Sequence, residues 1–101
     1  MRCRSLAWSL PLVLSSPALV LGQQAGDPAA GQRVAEASCL SCHGSAAAEP
    51  KAPAFAAIAA MPSTTARSLE VFLRTSHPPM PNLILSATQR DDVIAYILSL
   101  R

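Results

Sequence analysis

Apolar residues in this chain fall into one long run near the start and three shorter stretches that repeat at helical spacing. Residues 6–21 are mostly apolar, interrupted by Pro11 and Pro17. Farther along, Gly31, Val34 and Ala35 share one helical face. Leu69, Phe72 and Leu73 stand at i, i+3 and i+4, and Val93, Ile94, Ile97 and Leu100 make a third stripe. No segment alternates apolar and polar residues as a half-buried strand would, so the pattern predicts an all-α chain without internal repeats.

Polar residues and prolines mark where these helices begin and end. Asp27-Pro28 predicts a helix start, the carboxylate capping and the proline fitting the first turn. Pro50, Pro53 and Pro62 leave room for only a short helix over 54–60. Ser63 or Thr64 can cap the next helix, which His77-Pro78-Pro79 stops. Ser86-Ala87-Thr88-Gln89 reads as a capping box for the last helix, with Asp91 and Asp92 favouring its first turn.

The long first run has a different character. Arg2 and Arg4 precede it, and Val20-Leu21-Gly22 closes it on a small residue, so residues 1–22 are expected to be a cleaved secretory signal peptide. Its two prolines and its length, short of the roughly 20 apolar residues of a membrane span, argue against a retained anchor. Cleavage would remove Cys3 and Trp8 and leave a domain over residues 23–101. The formal charge of +2 then vanishes, because Arg2 and Arg4 leave with the leader and acidic and basic side chains balance. No basic cluster points to nucleic acid, and no stable membrane insertion is expected after cleavage. A domain this small sits near the size, about 70–80 residues, below which a hydrophobic core alone seldom suffices. A buried cofactor would supply the missing apolar interior.

Cys39-Leu40-Ser41-Cys42-His43 names that cofactor. C-x-x-C-H is the sequence to which c-type haem is attached. Two thiols three positions apart can each bond one vinyl group of a single porphyrin, and the adjacent histidine then lies under the iron as its proximal ligand. A dithiol redox pair would expect a βαβ setting, which the chain lacks. A zinc site needs further ligands, and outside the motif there are only Cys3 and His77.

Beyond the leader the sequence resembles a short class I cytochrome c. It has an N-terminal helix leading into C-x-x-C-H, a proline-bearing loop, a second helix, a methionine loop and a closing helix. Met80-Pro81-Asn82-Leu83-Ile84-Leu85-Ser86, followed by Asp92-Val93-Ile94-Ala95-Tyr96-Ile97, is similar to the family's methionine loop and last helix. The resemblance implies a small cytochrome c-like fold, about three to four helices around one covalently bound haem c. It implies that Cys39 and Cys42 carry the haem, that His43 and Met80 ligate the iron, and that the Pro53 carbonyl accepts the other ring N–H of His43. Met61 is then a core or loop methionine, and His77, the alternative distal ligand, a surface loop residue. Two departures stand out. The first-helix position that would pack an aromatic ring against Tyr96 is Ala35, and no tryptophan remains to bond a haem propionate.

The expected function is that of a periplasmic monohaem one-electron carrier with His/Met-ligated iron and no enzymatic activity of its own. It would exchange electrons with redox-partner proteins, a dehydrogenase and/or a terminal oxidase or reductase. Three alternatives belong to other classes. A bound cytochrome subunit of a periplasmic dehydrogenase complex would leave an apolar patch exposed, for which Ile84 and Leu85 are candidates. A haem sensor or peroxidase would have a labile Met80 bond. A structural domain would carry no haem.

Overall fold

The computed structural model describes residues 26–44 and 52–101. The leader read over residues 1–22, with Cys3 and Trp8, lies outside them, as does Pro50. Asp27 caps α1 (Pro28–Ser38), its carboxylate accepting the Ala29 amide at 2.9 Å, with Pro28 in the first turn, where a missing N–H is harmless. At Cys39 the backbone leaves helical geometry (φ −121°, ψ −40°), and a separate turn, α2 (Leu40–His43), completes the C-x-x-C-H sequence. Then come α3 (Phe55–Ala60), α4 (Ala66–Arg74) and α5 (Ala87–Leu98). The described residues thus hold five helices and no strand, against about three to four expected from the resemblance. The break at Cys39 makes the motif's own turn a helix in its own right.

Helix ends show where the sequence pattern misleads. The cap of α4 is Thr65, not Ser63 or Thr64. Thr65 accepts the Ser68 amide at 3.0 Å while the Ser68 hydroxyl accepts the Thr65 amide at 2.9 Å. Thr64 is buried and uses its hydroxyl differently, donating to the Ile58 carbonyl at 2.6 Å. The Arg101 guanidinium donates to the Thr64 carbonyl, tying the loop before α4 to the segment after α5. Helix α4 ends at Arg74, short of the His77-Pro78-Pro79 stop. Helix α5 begins on the reciprocal Ser86–Gln89 box. Asp91 and Asp92 therefore fall past its first turn, and Leu100 past its end, where it is exposed.

Helix α1 lies against α5, and Gly31 is the reason they can meet. A Cβ at this position would stand 1.9 Å from the Asp92 carbonyl oxygen and 2.9 Å from the Tyr96 Cβ. Only a residue without a side chain lets two backbones approach this closely. The Asp92 carboxylate seals the crossing by accepting the Asp27 amide at 2.7 Å. Around it Ala35, Cys39, Phe55, Ala59, Leu69, Val93, Ile94 and Ile97 form the buried core, with Leu73, Leu83 and Tyr96 packed on its edge. Phe72, the middle residue of the second stripe, is not part of this core: it is 59% exposed. Tyr96 finds its aromatic partner on α3 instead of α1, the Phe55 ring meeting it edge-on at 6.3 Å.

Candidate haem site

Three elements bring the motif's side chains together. Cys39 sits at the junction of α1 and α2 and points into the core. Cys42, one turn later, is half-buried, and both are free thiols. Burial pushes the Cys39 thiol above its ordinary pKa, because a thiolate there would lose its hydration. His43 ends α2. Its Nδ1 lies 2.7 Å from the carbonyl oxygen of Pro53, and the Phe55 ring stacks on the imidazole at 5.0 Å. A carbonyl only accepts, so Nδ1 donates and Nε2 lies outside this bond. The short run Pro53-Ala54-Phe55 thus supplies both the hydrogen bond and the ring that fix this histidine. Sequence reasoning reached Pro53 only through the family resemblance and missed Phe55.

Met80 stands apart from that group. It is half-buried on the wall of a cavity of about 260 Å³ whose other walls include Phe72, Leu73, His77, Leu83 and Leu85. None of Cys39, Cys42, His43 or Pro53 lines this cavity, but Leu73 and Leu83 belong to it and also pack against the core that holds Cys39. Met61, by contrast, is 46% exposed and does not line it. His77 is half-buried, its Nδ1 on the Thr75 carbonyl at 2.9 Å and its ring edge-on to Phe72 at 5.1 Å.

The donor set fits a covalently attached haem. Two free thiols lie one helical turn apart, the adjacent imidazole offers Nε2, and a soft thioether lines a cavity of mixed character where Phe72, Leu73, Leu83 and Leu85 supply the apolar side. Among the described residues no group of three or more His, Cys, Asp or Glu is placed to hold a metal ion by itself, so the zinc alternative finds no further ligands there. No helix among them is long and apolar enough to cross a membrane.

Comparison with known proteins bears on the same residues. The family described as cytochrome c oxidase, cbb3-type, subunit III matches residues 26–97. Cytochrome c-552 of Bradyrhizobium diazoefficiens is 40% identical over 93 residues, covering 88% of this chain and 86% of that protein. No solved structure gives a significant match. The family match runs from the residue before the α1 cap to the penultimate residue of α5, and together with the likeness to cytochrome c-552 it makes this chain a c-type cytochrome, one of the electron carriers that hold haem c covalently and are not enzymes.

Proposed function

We propose that Cys39 and Cys42 carry the two thioether bonds of a single haem c, with His43 as proximal and Met80 as distal ligand, in an exported periplasmic protein that passes one electron at a time between redox partners. The bond from His43 Nδ1 to the Pro53 carbonyl carries this reading. With Nδ1 engaged and one ring face against Phe55, Nε2 is the atom left for iron, and the bond to the carbonyl fixes the orientation of the ring. The case for Met80 over Met61 rests on its half-buried place in the cavity wall beside Leu73, Leu83 and Leu85, while Met61 is exposed. When bound, haem iron exchanges one electron between ferric and ferrous states. A thioether ligand favours the ferrous form and raises the potential. With His43 and Met80 both holding the iron, the chain would present no open position to a substrate.

The balance of acidic and basic side chains in residues 23–101 suits brief encounters through small interfaces with a dehydrogenase and/or a terminal oxidase or reductase. A second reading, a bound subunit of a redox complex, draws on Ile84, which is 100% exposed between half-buried Leu83 and Leu85.

Absorption spectroscopy tests the ligand assignment. A thioether on ferric c-type haem gives a weak band toward the red end of the visible spectrum, which the wild-type protein should show. Met80→Ala should abolish it and lower the reduction potential, while Met61→Ala should leave both nearly unchanged. Loss of the band in Met61→Ala with retention in Met80→Ala would reverse the assignment.

A further inference from the structure

We propose that His77 is a reserve axial ligand, poised beside Met80 to take the iron position when the Met80 thioether is withdrawn. The inference rests on the reading of His43 and Met80 as the resting pair. Two observations point to it. The first is the way the two histidines are held. His43 donates Nδ1–H to the Pro53 carbonyl at 2.7 Å, and His77 donates Nδ1–H to the Thr75 carbonyl at 2.9 Å. Each bond engages Nδ1 and leaves Nε2 outside it, the arrangement in which histidines ligate metals.

The second observation is position. His77 and Met80 line the same cavity, and the Met80 amide donates to the His77 carbonyl at 3.2 Å, closing a turn that carries both side chains. The Thr75 carbonyl that holds His77 lies two residues away, so the hydrogen bond can travel with the loop. The other tie is the edge-on contact with Phe72, with ring planes 82° apart. Substituting imidazole nitrogen for thioether sulfur would keep both axial positions filled while removing the ligand that favours ferrous iron. The protein would lose potential without opening its iron to small ligands.

Ferric spin state in the haem-loaded full chain provides the test, with Met80→Leu as a volume-conserving companion to Met80→Ala. Wild type and His77→Ala should both show the sulfur-to-iron band in the red. Its absence from wild type would refute the Met80 assignment, and the reserve role with it. With the band present, Met80→Ala and Met80→Leu should give a low-spin signal of two nitrogen ligands and, once reduced, fail to bind carbon monoxide. Adding His77→Ala to either should turn the iron high-spin and admit carbon monoxide. High-spin iron in both single Met80 variants, or a low-spin signal that survives in the double variants, would overturn the proposal and leave the Met80 assignment standing.

Discussion

Replacing Gly31 with alanine would drive a methyl group into the backbone of α5. The new Cβ would lie 1.9 Å from the Asp92 carbonyl oxygen, 2.4 Å from its carbonyl carbon and 2.9 Å from the Tyr96 Cβ. Non-bonded heavy atoms settle at about 3.5–4.0 Å, so the helices must part by roughly 1.5 Å. Main-chain atoms of a capped helix cannot rotate aside as the tip of a side chain would. A gap of even about 0.5–1 Å forfeits a quarter to a half of a contact's attraction. The residues that lose it are among the most tightly packed: Ala35 and Val93 are 0% exposed, Ile97 2%. Overpacking destabilises by about 1–3 kcal/mol and by more where backbone must move, while alanine returns about 1 kcal/mol of helix propensity. With the clash at the upper end of that range, the expected net loss is about 2 kcal/mol, or a fall in Tm of about 8–16 °C for a domain of this size. Thermal melts of the haem-loaded protein followed by far-ultraviolet circular dichroism would measure it. Ala37→Gly, on the exposed side of α1, isolates propensity and should lose only about 0.5–1 kcal/mol. A Gly31→Ala protein that melts within about 4 °C of wild type, or above it, would refute the close crossing.

Thr64→Val keeps the side chain's shape but removes its 2.6 Å bond to the Ile58 carbonyl. That carbonyl also accepts the Met61 amide, so the loss should be about 1 kcal/mol, read as a Tm drop of about 4–8 °C. Cys39→Ala and Cys42→Ala should each leave at most one thioether, and the pyridine haemochrome spectrum should report an unsaturated vinyl; an unshifted spectrum in either would contradict attachment through both sulfurs. The haem-free polypeptide should show weak helical dichroism and no cooperative melt, because its core is small and two of its side chains, Ala35 and Ala59, contribute little apolar area. A sharp transition in that form would oppose the view that the porphyrin completes the interior.

Spacing and capping made most of this architecture legible before any coordinates. Asp27-Pro28, the Ser86–Gln89 box and the stripe Val93, Ile94, Ile97 act locally, and the structure uses them as the sequence suggests. Misreadings arose where a residue had a competing use. Thr64 is as good a cap as Thr65 by type, yet burial and the Ile58 carbonyl claim its hydroxyl. Phe72 fits the apolar stripe of α4 by period, but the protein core stops short of it and leaves it on the cavity wall. Phe55 was missed because its partners, His43 and Tyr96, lie at distances along the chain that no periodicity reports. A signal for it did exist. From Gln23 onward Phe55, Phe72 and Tyr96 are the only Phe, Tyr or Trp residues, so within that stretch Tyr96 had just two such rings to meet. For Met80, the loop prolines and the family phrase marked it, whereas its share in a cavity with His77 depends on how the chain turns between them.

The pairing of α1 with α5 also sets a sequence of events during synthesis. The hydrogen bond from the Asp27 amide to the Asp92 carboxylate spans 65 positions, and Gly31 waits for a backbone that is made about 60 residues later. A ribosome adding about 5–20 residues per second needs several seconds to cover that interval. Throughout it the emerging α1 has no partner, and a lone helix of 11 residues is marginal in water. Cys39, 7% exposed once the fold is closed, is open to solvent until then. Chemistry at its sulfur meets the least obstruction before α1 and α5 come together, and their closure then covers it.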